Sequence, residues 1–464
     1  MGKIEAIATD SGITDVPAKV PLGIKPLGIW GSFRTGQRNV LELIPEMATR
    51  VPILSGTTGK RWHMLMDPDG LRQVLRDKVT DYPKSTVTKL ILGPAIGNSM
   101  FVAEGAEWMW QRRTAAPVFS HRNVTALAPV MTGAAERASA RFAAAAQSSD
   151  QGGRAIDAFE EMVTATFEVI SDVTLSGGEG FDRAAVHKAI EVYIGSSAKL
   201  SVLDILGAPA WVPRPGRMFS ATTMRQMKQT ADTAILTRRA RGAQPIPDLL
   251  DLLLAGEDPK SGRMMNVDEV RDNLLTFIVA GHETTALTLA WSLYLCAHDP
   301  AIQAQARAEA QAALGDRTAT AADIANLPLI RRIVDEALRM YPPAAFLART
   351  AQQPDTLVGR QVRPGDTIVL PIYALHRHHL LWQNPDAFDP DRFLTPPPRF
   401  TYLPFGDGPR ICIGASFALQ EAVIILATLL ARFKYTLIPG KAPKPVMILT
   451  LRPQGGVWLG VEPA

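Results

Sequence analysis

Apolar residues recur three and four apart through most of the middle of this chain, and they alternate with polar ones only in short runs nearer its two ends. From about residue 123 to 341 the spacing predicts almost continuous helix, with breaks at Gly152-Gly153, Gly177-Gly178, Pro209 to Pro215, Gly256 to Gly262 and Pro300. Ahead of it, after a Pro-punctuated leader, residues 51–55 and 61–66 read as short strands around the turn Thr57-Thr58-Gly59-Lys60, and helix resumes at Asp67. Behind it, residues 356–358 and 367–370 read as strands, and 385–404 is a Pro-rich coil. A last helix over 415–432 leads to a hairpin between 447–451 and 457–460. The pattern predicts a mainly α protein with small β-sheet lobes (α+β). A small mixed lobe covers about 40–66 plus the C-terminal strands, and the helical bulk covers about 67–345 and 415–434. No linker, low-complexity tract or repeat divides residues 1–464, so one domain is expected, and a helical repeat scaffold is excluded.

The longest helical pattern opens at Asn266, with Glu269 three residues on to complete a capping box, and runs to about Ala297. At roughly 30 residues it would be about 45 Å long, enough to cross a large domain. It is apolar nearly all round except at Ala280-Gly281-His282-Glu283-Thr284-Thr285. A mid-helix glycine costs about 1 kcal/mol relative to alanine, and threonine hydroxyls can bond back to the preceding turn. A local groove is expected there.

Charge adds exclusions. Lys and Arg (49) against Asp and Glu (45) leave a net charge of +4, dispersed without the dense basic run of a nucleic-acid binder. The densest cluster, Arg238, Arg239 and Arg241, is expected at a solvated helix end before Pro245, where cations suit the dipole. The two cysteines, Cys296 in an apolar helix and Cys412 in a Gly-rich loop, do not make a disulfide framework and fit a reducing compartment. The first residues lack both the apolar core of a signal peptide and the ~20 apolar residues of a membrane anchor, so a soluble, cytoplasmic protein is expected.

Cys412 carries the chemistry. It sits in Phe405-Gly406-Asp407-Gly408-Pro409-Arg410-Ile411-Cys412-Ile413-Gly414, just before a helix. Loop amides and a helix N-terminus would lower the thiol pKa and share charge on the sulfur. Glycines 406, 408 and 414 would allow close backbone approach, Phe405 would pack nearby, and Arg410 could neutralise an acidic group on a cofactor. A buried structural cysteine is the alternative. A structural zinc site is not, because zinc wants four ligands and no CxxC or HExxH set exists. A macrocycle bringing its own four nitrogens needs only one axial ligand.

FGDGPRICIG resembles the complete cysteine signature of the cytochrome P450 superfamily, and further motifs from Trp108 to Gly414 extend the resemblance over essentially the whole chain. It implies a P450-like fold with a long central helix over haem b, held by Cys412 as iron ligand with Phe405, Arg410 and Gly414 beside it. AGHETT resembles the family's acid-alcohol pair, which makes Glu283 and Thr284 the implied proton relay and places Ala280 against the cofactor. Glutamate, where the family also uses aspartate, leaves the reach of that relay open. Glu336 and Arg339, at i and i+3, would be worth only ~0.2–0.5 kcal/mol as a surface pair. With Arg392 of FDPDRF they resemble the Glu-Arg-Arg triad that pins the coil beneath the haem.

Trp108 and Arg112 share a helix face and match propionate contacts of the family, as do Arg349 and Arg410. Arg113 is expected at the surface, His282 to be structural or pocket-lining, and His376, His378 and His379 to form a surface cluster without metal. Residues 90–100, Phe277, Ala280, 345–347 (with Phe346 and Leu347), Met447 and Ile448 match substrate contacts by position. Their apolar character favours a small hydrophobic substrate, although core packing explains any one of them equally well.

The activity implied is insertion of one oxygen atom from O2, by a monomer without membrane anchor. No Walker, GxGxxG or cluster-binding cysteine set is present, so electrons are expected from a separate ferredoxin or flavodoxin with its reductase, which the resemblance implies would dock on the thiolate side, where Arg113 and other basic residues meet an acidic partner. A peroxide-using or rearranging haem-thiolate enzyme is opposed by the intact acid-alcohol pair. A haem-binding sensor would leave Glu283 and Thr284 without a role.

Overall fold

The computed structural model describes residues 16–24, 28–147, 155–175, 186, 188–190, 192 and 221–464. The breaks expected at Gly152-Gly153, Gly177-Gly178 and Pro209 to Pro215 lie outside the described residues. The core is built from helices Ala128–Gln147, Ala158–Leu175, Val267–His298 and Ala415–Arg432. The central helix, Val267–His298, has 32 residues and is about 48 Å long at 1.5 Å per residue. Its capping box forms as the spacing predicts: Glu269 N donates to Asn266 Oδ1 and Asn266 N donates to Glu269 Oε2, both at 2.9 Å. It packs most extensively on Ala158–Leu175, which is why it is apolar nearly all round. Ala415–Arg432 is long and apolar enough to cross a membrane by length and composition, and here Val423 to Leu430 lie buried in the core.

A four-stranded sheet runs in the order Ile53–Thr58, Lys60–Leu65, Thr367–Leu370, Leu347–Thr350. The first two strands pair antiparallel right up to Gly59, whose φ of 71° makes the turn. The middle pair is parallel, and Leu347–Thr350 closes one edge antiparallel. This sheet presents Leu347 and Arg349 to the interior of the protein.

The C-terminal hairpin differs from the expected one. Lys444–Met447 pairs with Leu451–Gln454, and the following strand Trp458–Pro463 pairs instead with Phe433–Leu437 and Ala155–Asp157. Gly455 and Gly456, with φ of 86° and 84°, end the hairpin and redirect the chain, so the alternation at 457–460 serves a long-range partner. Arg238 also departs from expectation: it is buried, with Asp248 at 2.9 Å and Asp251 at 2.8 Å, and these acids cap helix Leu249–Leu254. Arg239 and Arg241 stay exposed.

Candidate active site

The central helix, the loop around Cys412, the edge strand at Leu347 and the tip of the C-terminal hairpin enclose a cavity of about 1500 Å3. Phe277, Ala280, Phe346, Leu347, Met447 and Ile448 all line it. From 90–100 it takes Ile91, Leu92, Ile96 and Met100. Phe277 stands edge-on to Phe119 with centroids 4.9 Å apart, so this wall is apolar and aromatic.

Cys412 is reached through that cavity. Its loop is held by a bond from Cys412 N to Phe405 O, 2.9 Å, and by Gly408, where a Cβ would stand 2.1 Å from Leu75 O at a φ of 74°. Gly414 has an ordinary φ of −90°, and a Cβ there would touch Phe119 at 3.9 Å. Its N–H matters instead, because that donor and Arg112 both favour the thiolate. Burial outweighs them, so the thiol lies above its ordinary value, opposite to the lowering that loop amides alone would give.

Opposite-signed neighbours are scarce around the cavity's charged side. Lys84, Arg112, Arg349 and Arg410 all line it. Arg410 stacks 4.2 Å over Trp108 and donates to Glu104 and to Ala103 O. Lys84 donates to Phe101 O, and its backbone bridges to Arg349 at the sheet edge. Burial first, then Arg410 and Arg349, lower Lys84 to about 7, and burial with Arg410 lowers Arg349 to about 10. Four partly desolvated cations facing chiefly Glu104 are electrostatically incomplete and fit a ligand bearing carboxylates. Among the described residues no group of three or more His, Cys, Asp or Glu could cage a metal. One thiol plus this cationic rim suits an iron macrocycle with acidic side chains. Lys84 and Glu104 had no motif to announce them, because only the sheet register brings Lys84 beside Arg349.

The central helix stays helical through AGHETT. Thr284 donates to Ala280 O at 2.8 Å and Thr285 to Gly281 O at 3.2 Å, while Thr166 of the neighbouring helix bonds His282 O at 2.8 Å. His282 is buried, with Nδ1 2.8 Å from Ile278 O and its ring edge-to-face on Phe167. Glu283 is 2% exposed, and its Oε1 accepts from Thr450 Oγ1 and Arg452 Nε of the C-terminal hairpin. Burial alone would raise its carboxyl; Arg452, with His282 and the Thr450 hydroxyl, more than cancels this and holds it below the ordinary range. Thr450 and Arg452 were invisible to motif reading, since only the hairpin register presents both to Glu283.

Glu336 and Arg339 are wholly buried, with Arg339 bidentate on Glu336 at 2.6 and 2.8 Å. They are therefore no surface pair. Arg339 also donates to His376 O, Pro385 O and Ala387 O, and Arg392 stands 3.4 Å from Glu336 Oε1 and donates to Asn384 O at 2.8 Å. His376 Nε2 accepts from Leu403 N, 2.8 Å, linking the triad to the chain two residues before Phe405. His376 and His378 are thus buried, correcting the expected surface cluster: the coil folds over them to satisfy its own backbone. Arg113 is likewise not a free surface cation. It is bidentate on the fully buried Asp258 at 2.7 and 2.9 Å, pinning the loop after Gly256.

Comparison with known proteins agrees with this geometry. The cytochrome P450 family profile matches residues 26–459. Cyclooctatin synthase of Streptomyces melanosporofaciens is 31% identical over 366 residues, 78% of each chain. Cyclooctat-9-en-7-ol 5-monooxygenase of the same organism is 30% identical, covering 91% of this chain and 90% of its own. Putative cytochrome P450 132 of Mycobacterium tuberculosis is 31% identical, covering 86% and 87% respectively. A thiol loop, a cationic rim and a helix-borne acid and alcohol around one apolar cavity, in a chain matched nearly end to end, make this protein a member of the cytochrome P450 family and a haem-dependent monooxygenase.

Proposed function

We propose that this chain, working as one domain, binds haem b with Cys412 as iron ligand and inserts oxygen from O2 into a small hydrophobic molecule, drawing electrons from a separate ferredoxin or flavodoxin with its reductase. The observation that carries the reading is Cys412 facing the same cavity as Thr284 and the cationic rim. When bound, the haem iron supplies the activation of dioxygen. Arg112, Arg349, Arg410 and Lys84 would hold its carboxylates, and Trp108 would stack beside them with Arg410. The Gly414 N–H shares the charge on the Cys412 sulfur.

The rest of the chemistry is proton handling and exclusion of water. Thr284 commits its own proton to Ala280 O, which leaves its oxygen lone pairs directed to the cavity to accept from a protonated oxygen or water. Glu283 is the adjoining group: Arg452 holds it as the carboxylate at rest, and to relay it first accepts a proton from water at the partly exposed Arg452 side and then gives it up toward Thr284, returning to the carboxylate. The apolar wall of Phe277, Phe346, Leu347, Met447 and Ile448 favours a hydrocarbon-rich substrate and keeps bulk water from the reacting oxygen. The relative named cyclooctat-9-en-7-ol 5-monooxygenase points the same way.

The test is the absorption spectrum after reduction and carbon monoxide addition, compared with Cys412→His. A strongly red-shifted Soret band lost in the variant is expected. A band at the haem-imidazole position in wild type would overturn thiolate ligation by Cys412.

A further inference from the structure

The hairpin of Lys444–Met447 and Leu451–Gln454 meets the cavity and the acid with the same few residues. Met447, Ile448 and Leu449 line the cavity, and Thr450 donates its hydroxyl to Glu283 Oε1, where Arg452 Nε also donates. Both feet of the tip are anchored. Met447 N donates to Asn39 Oδ1 at 3.1 Å, Leu451 N to Pro343 O at 3.0 Å, and Trp291 Nε1 to Leu451 O at 3.3 Å. Trp291 is itself stacked on Tyr341 with ring centroids 3.9 Å apart, so that foot is rigid.

Between the feet lie three residues. Ile448 N bonds Thr450 O at 3.1 Å inside the tip, and among the described residues the tip's side-chain hydrogen bond to the rest of the protein is the one from Thr450 to Glu283. The bond from Ile448 N to Thr450 O closes the tip on itself, so a force on Ile448 is carried to Thr450. A ligand pressing on Ile448 therefore displaces the Thr450 hydroxyl.

We propose that residues 448–450 couple filling of the apolar pocket to the position of the Glu283 carboxylate, with Ile448 as the ligand contact and Thr450 as a positioning residue. In this structure Thr450 and Arg452 hold the carboxylate on the hairpin, while the Thr284 hydroxyl is bonded to Ala280 O. A ligand long enough to reach Ile448 shifts the tip and loosens one of the two bonds on Oε1. Glu283, then held by Arg452 alone, pivots toward Thr284 only when the pocket is filled, so a proton it takes up from the hairpin side is passed on only in turnovers that have something to oxidise. This rests on the reading of Glu283 as the proton donor.

The experiment uses the haem-loaded protein and 1-alkylimidazoles from butyl to dodecyl, which bind iron through the ring and extend their tails into the pocket. The carboxylate infrared band of Glu283 is assigned by its loss in Glu283→Gln, and absorption spectra confirm that each variant binds the imidazole. The band is expected to shift with the dodecyl chain and not with the butyl. The shift should be lost in Thr450→Val and kept in Thr450→Ser. A wild-type shift in Thr450→Val, or none at any chain length in the wild type, overturns the coupling. The band is read without turnover, so this outcome is separate from peroxide release by Glu283→Gln, which tests the proton-donor role itself.

Discussion

Glu336→Ala should be the most damaging single change outside the cavity. Both Glu336 and Arg339 have side chains 0% exposed, and Glu336 accepts two bonds from Arg339 and one from Asp389 N at 2.9 Å. Removing the carboxylate strands a guanidinium in the interior with no counter-charge, beside the carbonyls of His376, Pro385 and Ala387 and the face of Trp382. Breaking a buried pair in this way costs about 3–5 kcal/mol, a large part of the roughly 5–15 kcal/mol that separates folded from unfolded protein. With an m-value of about 4 kcal/mol/M for a large chain, the urea midpoint should fall by about 1 M. Glu336→Gln, which keeps an acceptor but not the charge, should fall between. The link from Arg339 O through His376 to Leu403 N ends close to the thiol loop, so haem absorbance should disappear at lower urea than far-ultraviolet ellipticity. A loss under about 1 kcal/mol, as for an exposed pair, would refute the view that this network holds the coil.

Thr284→Ala and Glu283→Gln should keep haem but release several-fold more peroxide per NADPH with a surrogate redox pair; unchanged partitioning would remove the relay role, since positioned proton transfer contributes about 10²–10⁴-fold. Arg349→Met, deleting a buried cation whose charge burial opposes, should speed haem loss to an apoglobin acceptor by about tenfold or more, from about 1.5–3 kcal/mol for a charge-assisted bond; an unchanged rate would take Arg349 off the cofactor. His376 is lowered to about 3, by burial first and then Arg339. The unfolded chain therefore binds a proton below about 6.5 that the folded chain refuses until about 3, and stability should drop as pH falls through that window by up to about 1.4 kcal/mol per unit. Urea midpoints at pH 7, 6 and 5 should decline less steeply in His376→Asn, and parallel declines would show that another group sets the acid limit.

The chain by itself determined the helical elements whose signals are local. The capping box at Asn266 and Glu269 fixed where the central helix begins, because both partners lie within one turn. Ala415–Arg432 was legible for the same reason, as was the thiol loop, whose glycines and cysteine are contiguous. The matches of Cys412, Glu283, Thr284 and the triad to family motifs likewise need only short spacings. Tertiary structure decided what depends on register and burial. Whether strand 457–460 closes a hairpin or joins Phe433–Leu437 is a contest between partners far apart in sequence, and alternation alone cannot settle it. Whether Arg113, Arg238 and His376 face water depends on acids and carbonyls brought in by other segments. Lys84 joins the cationic rim, and Thr450 with Arg452 takes hold of Glu283, only because folded strands set them there. A desolvated charge has to find its partner in space, and the linear spacing of residues does not encode that distance.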